Sequence, residues 1–332
     1  MPADCGKKHL MNELDALEAL DCFHFPGIGE IRKGNPFPQI CCTKDRCAYF
    51  LRQAQEVLVY LPSQAGLPAY YAWHVAGLPE KIKAVLMDLD GTTVKSERFW
   101  ISIIEEIARR CLHDDTFRFT DEDIPFVSGF SVSEHLSYIH RKYLAEIRNI
   151  SLPLLRNMYV QIVKEKMQQL EKERINDAEN FFQPSEYLRD FLLELKRQQI
   201  KIGLISSGVH EKAWPEIVQV FRHLELGDPL DFYDAIVTAG FSVRRGQAGT
   251  LGELEAKPHP WLYAEALHAM HVSYSEAVVI EDSSAGVVAA RLARMPVIGM
   301  KEGNIVSSGT ASLCAFMGSH LKEVYEHLSG RL

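Results

Sequence analysis

The sequence predicts an α/β fold: a parallel sheet core, a helical segment inserted into it, and an additional N-terminal segment. Short apolar and β-branched runs at 83–88, 200–206, 235–238, 277–281 and 296–300 read as buried strands. The stretches 187–198, 211–224, 261–270 and 285–294 carry apolar residues at three- and four-residue spacing, as amphipathic helices do. Strands alternating with helices imply parallel pairing, because a parallel connection has to cross back over the sheet.

The interval between the first and second strands breaks that alternation. It holds helical text at 101–111, 133–148 and 154–174 without a convincing strand, so it reads as a helical insertion. The first 80 residues are less periodic and contain Phe25-Pro26-Gly27-Ile28-Gly29 and Asn35-Pro36-Phe37-Pro38. Within them, 12–20 and 46–59 are expected to be helical. The resulting division is 1–80 as an N-terminal extension, 81–95 with 184–332 as the core, and 96–183 as the insertion.

The chain has 332 residues, 47% of them hydrophobic, with 36 Lys and Arg against 44 Asp and Glu, a formal net charge of −8. No basic block is long enough to follow a nucleic-acid backbone or an anionic membrane, and no apolar run spans a bilayer. Seven cysteines without a signal-like leader suggest reduced thiols and a cytoplasmic setting. Cys22, His24, Cys41, Cys42 and Cys47 lack the paired spacing of a zinc site, so the thiols read as buried packing groups.

The chemical signal is strongest where the first strand ends in Asp88-Leu89-Asp90-Gly91-Thr92. A sharp turn there sets two carboxylates at the carboxyl end of a strand, where open α/β sheets bind ligands. One carboxylate can attack phosphorus once cationic groups neutralise the phosphate, and the second can move protons. Taken alone, the motif could also be an Asx-capped turn. Ser206-Ser207-Gly208 alone is an ordinary strand-to-helix turn, Lys257 alone a solvated lysine, and Glu281-Asp282 alone a helix start.

Their order distinguishes them. From Lys83 to the end, about 250 residues, the chain resembles the haloacid dehalogenase-like superfamily, in its β-phosphoglucomutase and phosphatase-like branch. The resemblance rests on Asp88-Leu-Asp90-Gly-Thr, Ser206 closing the second strand, Lys257-Pro258-His259-Pro260, and Glu281-Asp282 after an apolar strand. It implies a Rossmann-like core with an inserted α-helical cap, and a phosphohydrolase acting on a small phosphorylated metabolite, a sugar phosphate first. Asp88 would be the nucleophile, Asp90 the acid and base, and Lys257 the cation neutralising both Asp88 and phosphate. Ser206 and Ser207, with Lys257, would bind phosphate. Magnesium would be held by Asp88, the Asp90 carbonyl and Asp282, with Glu281 as a ligand or a supporting group, and Thr92 would set the position of Asp90.

The cap loop Ser128-Gly129-Phe130-Ser131-Val132 matches the segment that faces substrate in this branch, making Phe130, Ser131 and Val132 candidate specificity residues. Val132 stands where phosphonoacetaldehyde hydrolases carry a Schiff-base lysine and where β-phosphoglucomutases carry a phosphate-binding arginine. Trp100 stands where the mutases have histidine. Phosphonate cleavage is therefore disfavoured, and phosphomutase activity is an alternative that Arg98, Arg141 or Arg148 would have to support. Lys95 and Arg244-Arg245-Gly246-Gln247 are further departures, read as surface features or as contacts to a second anionic group. A phosphometabolite sensor or assembly subunit is the rival of a different class, and the intact set of motifs argues against it.

Overall fold

The computed structural model describes all residues except 1–12, 54–55, 63–68, 121, 124–131, 173–181, 240 and 244–255. Its strands are β1 (Glu18–Ala19), β2 (Cys22–Phe25), β3 (Gly29–Arg32), β4 (Gln39–Cys42), β5 (Tyr49–Gln53), β6 (Glu56–Leu61) and β7 (Ala69–Ala72) in the N-terminal part. They are followed by β8 (Ala84–Asp88), β9 (Val94–Lys95), β10 (Gln183–Pro184), β11 (Lys201–Val209), β12 (Ala235–Ala239), β13 (Phe241–Val243), β14 (Ala277–Glu281), β15 (Val297–Met300) and β16 (Phe316–Gly318).

The core sheet runs β13-β12-β11-β8-β14-β15-β16, parallel throughout except for β13, which pairs antiparallel with β12. Every residue of β8, β14 and β15 is buried, which explains why these strands read as unbroken apolar runs rather than alternating ones. Side chains still alternate between faces. Val85 and Met87 join one apolar cluster with Leu192 and Ile217, while Ala84 and Leu86 join another with Leu262 and Val288.

The sheet order creates the crevice. β8 comes first among the core strands and lies in the middle, with β11 on one side and β14 on the other, so the chain direction switches beside it. Loops leaving the carboxyl ends of these three strands diverge and leave an opening at that point.

Helices Glu97–Leu112, Val132–Lys142 and Leu152–Lys172 pack on one another between β9 and β10. The two strands at the base pair antiparallel, Lys95 with Gln183 and Val94 with Pro184, so the chain enters and leaves the helical segment through one two-stranded ribbon.

The N-terminal part corrects an expectation. Of the described residues within 12–20 and 46–59, Glu13 alone is helical and the others are turns, bends, strands and irregular backbone: β1-β4-β5-β6-β7 is a five-stranded antiparallel sheet. In β6, Val57, Val59 and Leu61 face the core cluster, while Leu58 and Tyr60 face the β2–β3 hairpin. That period of two is the strand signal. Phe50, Val59, Leu61 and Trp73 are buried in the same cluster as the helices Trp261–Met270 and Ser284–Leu292. Burying each large side chain is worth about 1.5–3 kcal/mol, so this layer adds substantially to the core's stability. Cys41 and Cys42 are buried and free, and burial pushes the Cys41 thiol up to about 12, the behaviour of a packing group.

Candidate active site

The turn after β8 is stitched to β11, to β9 and to β8 itself. Leu89 N–H donates to the Ile205 carbonyl at 3.1 Å, Gly91 N–H to Val94 at 2.8 Å, and the Thr93 hydroxyl returns to the Asp88 carbonyl. Gly91 has φ +84°, and a Cβ there would overlap the Asp282 carboxylate, so glycine is required on both counts.

At the bottom of the crevice, Asp88 is 6% exposed. The Lys257 ammonium contacts Asp88 Oδ1 and donates to Glu281 Oε1 at 2.6 Å. Glu281, wholly buried, also accepts from the Tyr263 hydroxyl at 2.7 Å and, through Oε2, from the backbone N–H groups of Asp282 and Ser283 and the Ser283 hydroxyl. A carboxylate so fully bonded is a fixed one.

Oxygens of Asp88, Glu281 and Asp282 lie within 4.8 Å of one another. Each can offer one oxygen to a single hard cation, so the donor set fits magnesium. So does the charge: three carboxylates against the single Lys257 ammonium leave a formal excess of two negative charges. Burial, and then mutual repulsion, hold the Asp88 and Asp282 carboxyls well above the usual range. A hard divalent cation bound by oxygen would remove that conflict.

Asp90 occupies a separate environment. Its Oδ1 accepts from Lys212 Nζ at 2.8 Å and the Ser96 hydroxyl at 3.1 Å, and its Oδ2 from the Ser206 hydroxyl at 3.4 Å. Burial pushes its carboxyl up, but the Lys212 ammonium, the hydrogen bonds from Lys212 and Ser96 and the Lys257 charge together hold it below the ordinary value. Two neighbouring carboxyls are thus driven in opposite directions, Asp88 up and Asp90 down.

Lys212 also lies over the Trp100 ring, 4.6 Å from its centroid, and Trp100 Nε1 donates to Glu216 at 3.0 Å. Lys212 and Glu216 come from the core helix His210–Leu224, and Trp100 from the first helix of the insertion. The pair therefore joins the two parts beside Asp90.

Most of the sequence-predicted residues converge here. Ser206 is buried beside Asp90, and the Ser207 hydroxyl accepts from the Lys257 backbone N–H at 3.2 Å. Thr92 is a correction: its hydroxyl is directed to Asp282 at 3.5 Å, and Ser96, Ser206 and Lys212 are what touch Asp90. Phe130, Ser131 and 244–247 lie outside the described residues, and Val132 opens its helix, half-buried against the main core. Lys95 is on the surface, paired with Glu302 at 2.9 Å.

Lys212, Glu216 and Tyr263 were missed. For the first two a signal existed, since a lysine and a glutamate four residues apart beside the buried row Ala213, Ile217 and Val220 are unusual on the inner side of a helix.

A model of the haloacid dehalogenase-like hydrolases matches residues 82–294, well over half of the chain and every motif residue named above. The chain belongs to this family. Over 111 residues, this hydrolase is 28% identical to validoxylamine A 7'-phosphate phosphatase of Streptomyces hygroscopicus subsp. limoneus; the alignment covers 33% of the chain and 44% of that relative, less than half its length. Among solved structures it resembles CbbY of Rhodobacter sphaeroides in complex with xylulose-(1,5)bisphosphate, with TM-score 0.54 and 19% identity over 73% of this chain and 96% of that one. A HAD hydrolase of family IA, variant 3, from Entamoeba histolytica HM-1:IMSS gives TM-score 0.55 and 18% identity over 73% and 95%. Likeness at these identities is likeness of fold.

Proposed function

We propose that this family member is a magnesium-dependent phosphohydrolase that removes phosphate from a small phosphorylated metabolite through a phosphorylated Asp88. The observation that carries the reading is the convergence of Asp88, Glu281, Asp282 and Lys257 at the carboxyl ends of β8 and β14, with Asp90 held apart by Lys212.

Asp88, Asp282 and Glu281 would hold the metal, with the Asp90 carbonyl as a further oxygen, and magnesium bound there would neutralise charge on the phosphoryl oxygens. Lys257 adds a fixed positive charge against Asp88, so an anionic phosphate can approach an anionic nucleophile. The Asp88 carboxylate forms its bond to phosphorus as the bond to the leaving oxygen breaks; Asp90, whose carboxyl is raised by the negative charge of the incoming phosphate and so takes up a proton, gives that proton to the leaving oxygen. Asp90 then takes a proton from water, whose oxygen attacks the phosphorus of the aspartyl phosphate. Inorganic phosphate leaves and Asp88 returns to a carboxylate. Ser206 and Ser207 would orient the phosphoryl group during both steps.

The helical segment between β9 and β10 is read as a cap that excludes water and selects the leaving group. Trp100, Lys212 and the residues around Val132 are its candidate contacts, with sugar phosphates the first substrate class. Free, buried thiols at Cys41 and Cys42 accord with a cytoplasmic enzyme. Acid quenching during turnover is expected to yield a peptide phosphorylated at Asp88; steady turnover without that species would contradict the mechanism.

A further inference from the structure

The N-terminal sheet reaches both loops that carry the charged groups of the site. Between β4 and β5, Asp45 Oδ2 accepts from the Ser284 hydroxyl and from Asn304 Nδ2 at 3.5 Å. Asn304 Oδ1 in turn accepts from the Ser284 backbone N–H at 2.7 Å. Ser284 is two residues beyond Asp282, and Asn304 follows Gly303, where a Cβ would overlap the Asp282 main chain. Asp45 thus closes a triangle of side chains against the segment that sets the position of Asp282. Lys44 N–H anchors the same turn to the Ser308 carbonyl at 3.0 Å.

A second contact reaches the lysine loop. Tyr71 Oη lies 2.9 Å from His259 Nδ1, and its ring meets Trp261 edge-on at 6.1 Å. His259 is buried and stands two residues beyond Lys257.

We propose that the N-terminal sheet is a working part of the catalytic unit, in which Asp45 and Tyr71 are positioning residues for the Asp282 and Lys257 loops. The proposal rests on the phosphohydrolase reading for what those loops do. Buried carboxylates that repel one another accept a metal readily only when their backbone is already held in place, because ordering a loop at the moment of binding subtracts from affinity.

The test uses the full chain carrying Asp45→Ala, Asp45→Asn or Tyr71→Phe, with magnesium binding measured by calorimetry in the absence of substrate and amide exchange followed across 257–261 and 282–286. Asp45→Ala should weaken magnesium binding about tenfold, the low end for groups that support metal ligands. Asp45→Asn, which keeps an acceptor for Ser284, should recover most of that loss. Tyr71→Phe should speed exchange at 257–261 and lower kcat while leaving magnesium affinity unchanged.

Unaltered magnesium affinity and unaltered exchange at 282–286 in folded Asp45→Ala would overturn the proposal, as would unaltered exchange at 257–261 in Tyr71→Phe. If Asp45→Ala does not fold, Asp45→Asn and Tyr71→Phe decide by the same exchange readout. Failure of the natural protein to bind magnesium would instead overturn the phosphohydrolase reading, and the exchange measurement would still decide whether the sheet braces the loops.

Discussion

Lys212 Nζ lies 2.8 Å from Asp90 Oδ1, and 3.9 Å from Glu216 one helical turn further on. One ammonium therefore serves the proposed proton carrier and a buried glutamate at the junction between core and insertion. Replacing it tests the first role. Lys212→Met keeps the length of the stem and removes the charge, leaving Asp90 without its main partner. It should lower kcat about a hundredfold, the low end for disturbing general acid–base catalysis, with a smaller effect on KM. Asp90→Asn should cost at least as much. Unchanged kcat in both variants would remove Asp90 from the chemistry.

Glu216 makes a prediction about stability. Burial first, and then the Asp90 charge, push its carboxyl up to about 8, and its Oε2 has no hydrogen-bond partner among the described residues. An unfolded glutamate titrates near ~4.3. Between roughly pH 4.3 and 8, the folded protein keeps a proton that the unfolded chain gives up, so this residue's stabilising contribution is lost as pH rises through that window. Glu216→Gln still accepts from Trp100 Nε1. Its Tm should fall less than that of the natural protein between about pH 5 and 8; an identical slope would show that Glu216 does not titrate there.

Gly286 makes a prediction about Glu281. A Cβ at this position would overlap the Glu281 carboxylate, which cannot swing aside without giving up bonds to Lys257, Tyr263, Ser283 and the Asp282 backbone. Gly286→Ala should cost about 2–4 kcal/mol by chemical denaturation, combining overpacking with lost charged hydrogen bonds. A helix-favouring substitution that proved neutral or stabilising would mean the carboxylate has room to move.

How far the sequence could be read depended on how local each determinant is. The strands ending at Asp88 and Glu281 and the helix Trp261–Met270 announce themselves because full burial or amphipathic spacing is written in consecutive residues. The four motifs could be placed from their order. The N-terminal sheet was misread because Phe50, Val57 and Leu58 also satisfy a helical spacing, and what decides between the two is the pairing of Phe50 with Cys41 and of Val59 with Tyr71 across the sheet. Lys212 was missed because its partner, Asp90, is 122 residues away. Thr92 was assigned to the nearer aspartate, whereas the turn at Gly91 directs its hydroxyl to Asp282.

The most direct test of the central claim is phosphate release from a panel of phosphorylated metabolites, with magnesium and with a chelator, for the natural protein and Asp88→Asn. Asparagine keeps the volume of the side chain and removes the attacking charge, so the variant should fold normally. The account predicts release that requires magnesium and disappears in Asp88→Asn; equal release from both proteins, or release that survives complete metal removal, would contradict it.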